Sequence, residues 1–266
     1  MKRIINCMPN NEKYSLEISE KLKVLLENSG FIVSDEYSSD AELNITIGGD
    51  GAFLHGVRKS NFSDIPFIGI NTGTLGFFPE ISPEKLSEFV ELYRLGKYKT
   101  LDMDIIECVV KCENSIFITY ALNDIAIKRS DMRAIHLTTY VNDNYLETIS
   151  GDGIIISSTL GSSAYNYSCG GSLVYPSLRT LQLTPISPIS SKTYKCLNSS
   201  VIIPPEFHIK VNPKNDDNYT TVLIADGMVY DFENVMEMEF YTSDRVVKRM
   251  TLGDFNYWEV IKEKLL

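Results

Sequence analysis

An α/β N-terminal domain, a parallel sheet with flanking helices, followed by a mostly-β C-terminal domain is the fold class this sequence predicts, and three features predict it. Over the first hundred or so residues, short β-branched runs alternate with amphipathic helical segments, the pattern that builds a parallel sheet covered by helices. From about residue 100 the period changes to many short alternating segments, with turn signals such as Val141-Asn142-Asp143-Asn144. A chain of 266 residues is also long enough for each part to bury a core of its own. The expected boundaries are 1–99 for the α/β domain, joined by 254–266, and 100–253 for the β-rich domain.

In order, 3–7 reads as a strand, and 13–29 as a helix with Tyr14, Ile18, Leu22 and Leu25 on its inward face and Gly30 at its C-terminal cap. A strand begins at 31–33. The run 43–47 is a strand that enters a glycine cluster directly, and 65–70 is a buried strand feeding a second glycine-rich turn. Both turns are therefore expected at carboxyl ends of strands. Residues 83–95 form a helix with Leu86, Phe89, Val90 and Tyr93 inward, Ser82 as N-cap and Gly96 as stop. Beyond it, strands are expected at 104–112, 115–128, 134–141, 145–150, 153–158, 201–203, 207–212, 219–225, 228–232, 235–241 and 245–252. Helical turns are expected only at 162–169 and 177–183, before a closing apolar helix at 257–266 that packs back on the first domain.

The formal charge of -10 argues against nucleic acid, whose binding depends on Lys and Arg neutralising phosphates, and against acidic lipid surfaces. No apolar run approaches the ~20 residues that span a bilayer, and residues 1–7 lack the features of a signal peptide, so a cytoplasmic location is expected. The five cysteines form no CxxC pair, which fits reduced thiols, most of them small core residues. Cys108 and Cys112 share one strand face, with no nearby His to complete a metal site.

Gly48-Gly49-Asp50-Gly51 follows a buried strand. Glycines there remove side chains where backbone must approach a ligand, leaving peptide N–H groups to meet phosphate oxygens. The competing reading is a tight strand-to-helix turn with a capping aspartate. An aspartate among phosphates is electrostatically costly unless it holds a magnesium ion or faces the hydroxyl to be phosphorylated. With an ordinary pKa of about 3.9 it is a poor early base, so its role would be to orient the hydroxyl and accept the proton late, as the new bond forms.

Four further blocks follow in order: Asn71-Thr72-Gly73-Thr74-Leu75-Gly76-Phe77; Ala121-Leu122-Asn123-Asp124; Gly151-Asp152-Gly153 with the run from Ser157 through Gly161-Ser162-Ser163-Ala164-Tyr165 to Gly170-Gly171; and Leu183-Thr184-Pro185-Ile186-Ser187-Pro188. With the first block, they make the chain resemble the NAD kinase family over nearly its whole length. GGDG is shared with lipid kinases and phosphofructokinases, whereas the Asn-acidic pair and the Gly-Ser-Ser-Ala-Tyr run are specific.

The resemblance implies phosphorylation of the 2′-hydroxyl of the adenosine ribose of NAD to give NADP, with ATP or polyphosphate as donor, Mg2+ or another divalent metal, and a homodimer or homotetramer. It implies a site in the cleft between the domains, with Asp50 as catalytic base, Gly49 and Gly51 amides near the phosphates, His55 reaching the pyrophosphate and Phe77 lining the adenine pocket. Asn123 and Asp124 would bind ribose and adenine. Asp152 and the backbone from Ser163 to Ser168 would hold the other half of the dinucleotide, with Ala164 leaving room and Tyr165 closing the pocket, and Ser187 would touch its far end.

Each role has a structural alternative: Asn123 tying down a strand end, Asp152 as a plain turn residue, His55 as an exposed helix residue. His136 and His208 lie in strand-like runs without acidic or cysteine partners and read as structural. The chain departs from the family pattern at Ala52 (usually Thr or Ser), at Ser150 (often Lys or Arg) and at Thr159-Leu160 (Pro-Thr). Two rival readings are another GGDG kinase with a lipid acceptor, which gives Asn123-Asp124 no purpose, and a non-catalytic dinucleotide-binding regulator, which an intact Asp50 disfavours.

Overall fold

The computed structural model describes residues 3–73, 76–190, 195–214, 219–253 and 256–266; Thr74 and Leu75 of the second glycine-rich block, and 254–255 at the start of the closing segment, lie outside the described residues. The chain divides into two compact units, Met1–Met103 with Val246–Leu266, and Asp104–Arg245.

The first unit is built on parallel strands. β1 (Ile4–Pro9), α1 (Lys13–Asn28), β2 (Ile32–Ser34), β3 (Leu43–Ile47), α2 (Asp50–Lys59) and β4 (Phe67–Ile70) succeed one another, and β1 lies between β2 and β3, with β4 on the far side of β3. The outer edge of β4 is shared: Arg249 pairs with Phe67, and β5 (Pro79–Ile81) pairs with Gly69 and Ile70. A 3-10 turn, Pro83–Lys85, leads into α3 (Leu86–Arg94), whose Leu86, Phe89, Val90 and Tyr93 are buried in the expected pattern. Every residue of β3 and β4 is buried, as befits parallel strands covered on both faces.

The inward face of α1 differs from the expected one. Tyr14 is exposed and Leu25 half-buried, while Ser15, Ile18, Ser19, Leu22 and Leu26 are buried. Small serines turn inward because each finds a polar partner: Ser15 Oγ pairs with half-buried Thr72 Oγ1 at 2.6 Å, and Ser19 Oγ lies 3.3 Å from buried Cys7 Sγ. Gly30 closes the helix at φ +88°, with Phe31 N–H donating to Leu26 O.

The second unit is mostly β, as expected. It comprises the end of β6 (Lys99–Cys112), then β7 (Ile116–Ala121), β8 (Asp124–Arg129), β9 (Ile135–Val141), β10 (Asn144–Gly151) and β11 (Gly153–Ser158). After a 3-10 turn at Leu160–Ser163 and a single helical turn, α4 (Tyr165–Ser168), come β12 (Leu181–Ile186), β13 (Val201–Ile203), β14 (Ile209–Pro213), β15 (Thr221–Ala225), β16 (Met228–Phe232) and the long β17 (Val235–Thr251). One sheet runs β13-β12-β11-β8-β15-β16; β10, β9, β14 and β17 lie side by side in the other. Ile125, Ile127, Ile154, Ile156, Leu183 and Leu223 of the first pack against Leu137, Ile149, Val211, Met238 and Phe240 of the second.

Beyond shifts at element ends, three expected elements differ. The run 115–128 breaks at Leu122 and Asn123, whose N–H groups leave the ladder for Asp226. The runs 235–241 and 245–252 are one strand, β17. Residues 177–183 form no helical turn; Leu181 and Leu183 are drawn into β12, paired to β11 on one edge and to β13 on the other. All five cysteines are free thiols, but only Cys7 and Cys108 are buried, the other three being half-buried. Burial pushes the Cys7 thiol up to about 11, so it is inert as a nucleophile at neutral pH. The chain ends in α5 (Tyr257–Leu265), which belongs to the first unit and buries Tyr257 and Ile261. Among the described residues no helix is long and apolar enough to cross a membrane.

Candidate active site

In the first unit the chain leaves β3 and β4 at neighbouring carboxyl ends: Ile47 is opposite Ile70, and Gly48 N–H donates to Ile70 O at 2.9 Å. Open α/β sheets bind ligands at such ends. Gly48 has φ +149°, and a Cβ there would lie 2.5 Å from that of Ala52 and 2.9 Å from Asn10 Nδ2, so only glycine permits this exit. Asp50 then opens α2, with Gly49 as its N-cap. Ala52 and Phe53 N–H already return to Gly49 O, so the amides before them stand at the helix mouth, where partial positive charge gathers.

The Asp50 carboxylate is held firmly. Its Oδ1 accepts from Phe77 N at 2.7 Å and Phe78 N at 3.0 Å, and its Oδ2 accepts from Lys264 Nζ. Gly76 permits this wrapping, because a Cβ there would sit 2.7 Å from Oδ1. Lys264 also lies 4.6 Å from the ring centre of half-buried Phe77. Arg249 adds a second positive charge: burial pulls its guanidinium below the usual range, while the charges of Glu80 and Asp50 push back. Glu80 faces Arg249 at 3.7 Å and accepts from Leu252 and Gly253 N–H, which ties down the end of β17 ahead of α5. His55 is not brought to this cluster; it is an exposed residue farther along α2.

The second unit brings together the remaining candidates. Asn123 and Asp124 are buried where β7 passes into β8, and the loop after β11 closes over them. Ser158 N–H donates to Asn123 O at 2.9 Å and Ser158 Oγ to Leu122 O at 2.6 Å, while a Cβ on Gly161 would lie 2.0 Å from Asn123 O. The Asn123 side-chain Oδ1 is buried with no hydrogen-bond partner among the described residues. A buried acceptor left so costs about 1–3 kcal/mol, which a ligand donor would recover.

From Asn123, β11 leads to Asp152: Ser157 lies opposite Asp124, and Gly153 opposite Lys128. Asp152 is exposed, its N–H donating to Ile186 O at 3.0 Å, and Ser187 follows in an exposed position at φ +45°. Gly151 and Gly153 let neighbouring backbone come close; a Cβ on them would meet Ile186 O at 2.8 Å and Ile127 O at 2.1 Å. Ser163 and Ala164 are half-buried, and Tyr165 and Ser168 are exposed. Tyr165 Oη accepts from Lys128 Nζ at 2.8 Å, so the loop reaches along the β8–β11 pair from the Asn123 end to the Asp152 end.

Asp226 escaped the sequence reading. It sits at φ +46° in the two-residue turn between β15 and β16, with Gly227 at φ +81°, and its carboxylate accepts from Leu122 N at 2.7 Å and Asn123 N at 2.8 Å. An Asp-Gly pair between alternating strands signals a hairpin, but not which distant segment its carboxylate will hold. Burial, then the charge of Asp226, pushes the Asp124 carboxyl up to about 7. His208, expected to have no acidic partner, does face an acid, Asp143, at 3.6 Å, while His136 Nδ1 lies 2.7 Å from Ser150 Oγ, where the family often carries Lys or Arg.

A carboxylate fixed at the mouth of a helix that leaves a parallel sheet through a glycine turn, with a β unit offering buried amide and acid groups, defines a two-unit nucleotide phosphotransferase. Family models describe both parts: the ATP-NAD kinase N-terminal domain matches residues 9–98 and the C-terminal domain residues 122–250. The chain belongs to the NAD kinase family. It is 37% identical to an NAD kinase of Finegoldia magna over 99% of this chain and 98% of that protein. It is 33% identical to an NAD kinase of Sulfurimonas denitrificans over 95% and 87% respectively. Its fold is that of yeast NADH kinase complexed with NADH (TM-score 0.86, 21% identity, 99% of this chain and 87% of that one). It is also that of an Archaeoglobus fulgidus NAD kinase in complex with ATP (TM-score 0.76, 21% identity, 99% of each chain).

Proposed function

We propose that this kinase transfers the terminal phosphoryl group of ATP to the 2′-hydroxyl of the adenosine ribose of NAD, giving NADP, with Asp50 as the carboxylate that orients the hydroxyl and takes its proton late. The observation that carries the assignment is the placement of Asp50, locked through Oδ1 by two backbone N–H groups at the mouth of α2. A fixed carboxylate costs no reorganisation when the reaction occurs. The amides of Gly49 and Gly51 lie on the same turn as phosphate donors, and Phe77 borders it.

Asn123 and Asp124 take ribose and adenine, the orphaned Asn123 Oδ1 accepting from the substrate. Asp152, Ser163, Ala164, Tyr165, Ser168 and Ser187 hold the rest of the dinucleotide, and the Lys128 hydrogen bond sets the position of Tyr165. Exposed His55 contributes least. Magnesium is assigned to the donor: among the described residues no group of three or more His, Cys, Asp or Glu could hold a metal, whereas Mg2+ bound mainly by phosphates and water needs few protein ligands. Polyphosphate is a second donor to be tried.

Purified protein given NAD, ATP and magnesium should form NADP, and Asp50→Asn should lose about 10²–10⁴ in kcat while keeping NAD affinity. Absence of NADP with every donor overturns the kinase reading; an equally active Asp50→Asn variant removes Asp50 from its role.

A further inference from the structure

We propose that Lys264 is a ligand of the transferring phosphoryl group: its ammonium rests on Asp50 Oδ2 in the free protein and moves onto the terminal phosphate of bound ATP, releasing that oxygen for the acceptor hydroxyl. The inference rests on the kinase reading above and adds to it a residue that none of the motif blocks contains.

The argument begins with a charge problem. Gly48-Gly49-Asp50-Gly51-Ala52 offers no cation and, with Ala52, no hydroxyl, yet it sets an anion where phosphates must come. Carboxylate and phosphate repel unless a positive group stands between them. Of the two oxygens of Asp50, Oδ1 is committed to the N–H groups of Phe77 and Phe78. Oδ2 is the one left to accept a proton, and Lys264 covers it. The two roles conflict unless the lysine moves aside.

Lys264 is fitted to move. Its side chain is 30% exposed and passes over the face of Phe77, on the last turn of α5, while Tyr257 and Ile261 anchor the helix beneath. An ammonium on a flexible four-carbon stem carries three donors and behaves as a mobile point charge. Arg249, the other cation coupled to Asp50, is 10% exposed and faces Glu80, so it is too enclosed to follow a phosphate. In the step that follows, the ribose oxygen forms its bond to the terminal phosphorus, whose bond to the bridging oxygen breaks. That electron pair leaves with ADP, and the hydroxyl proton passes to Asp50 Oδ2.

The test compares the full chain with Lys264→Met, Lys264→Gln, Lys264→Arg and the neighbouring Lys262→Met, using steady-state kinetics and calorimetric binding of ATP and NAD. Lys264→Met and Lys264→Gln should lose about tenfold or more in kcat and weaken ATP binding about fivefold or more. NAD affinity should hold, Lys264→Arg should regain part of both losses, and Lys262→Met should match the wild type. Unchanged ATP affinity in both neutral variants overturns the proposal, and so does a rise in kcat, which would make Lys264 a brake on Asp50. ATP binding is read without turnover. A wild type that makes no NADP, but whose ATP binding needs Lys264, would therefore sink the kinase reading and keep the phosphate ligand.

Discussion

Asp124 and Asp226 meet at the start of β8, and their proximity has a consequence for stability as well as binding. Asp124 is buried, with its carboxyl raised to about 7. An acid whose pKa is raised by folding binds its proton more tightly in the native than in the unfolded state. Stability is therefore greatest below the unfolded value near 3.8, falls as pH climbs toward 7, and levels off above it. Asp124→Asn removes the cost of the buried charge, so urea melts should show it about 1–3 kcal/mol more stable than wild type at pH 8. At pH 5 the gap should narrow, because the native carboxyl is protonated there while the unfolded one is not, and it closes only as pH falls below the unfolded value near 3.8. An equal difference at both pH values would show that burial of the Asp124 charge is not its cause.

At the level of elements, glycines separate positions kept open for a ligand from positions kept open for the chain itself. A Cβ on Gly51 meets nothing within 4 Å, and alanine favours a helix, so Gly51→Ala should leave stability unchanged or raise it by up to about 1 kcal/mol. Its NADP synthesis should nonetheless fall, because the proposed phosphate path passes over this position. Gly161→Ala drives a methyl to 2.0 Å from Asn123 O, on a buried loop, and should cost about 2–4 kcal/mol together with NAD binding. Thermal melts alongside ATP and NAD titrations check both; a Gly51→Ala variant that unfolds, or a Gly161→Ala variant as stable as wild type, contradicts the distinction.

For the whole molecule we propose self-association as a dimer or tetramer. Edge strands β7 and β16 present apolar side chains to solvent, Ile116 at 69%, Ile118 at 52% and Val229 at 58% exposure, and such surfaces favour burial against a partner. Sedimentation at micromolar concentration should give a mass of two or four chains of 30.0 kDa. A monomer across that range refutes it.

The change of period near residue 100 and the buried parallel strands around Gly48 were legible because they are local: side-chain alternation, β-branching and turn residues act over a few neighbours. Gly48-Gly49-Asp50-Gly51 is local in the same sense, and its chemistry can be argued from one strand end and one helix start. Ser15 and Ser19 show where local reasoning stops: nothing near them in the chain announces Thr72 or Cys7, so polar residues facing inward on α1 were passed over for Tyr14. The partners of the site escaped for the same reason. Lys264 is 214 residues from Asp50, and Asp226 is 103 from Asn123. Sequence alone sufficed for the fold class and the family, because each is written in contiguous residues, and in the same way it singled out Asp50 as the base we propose. Which oxygen of Asp50 the backbone takes, what covers the other, and what holds Asn123 in place depend on contacts 27 to 214 residues apart in the chain, and only the folded chain makes them.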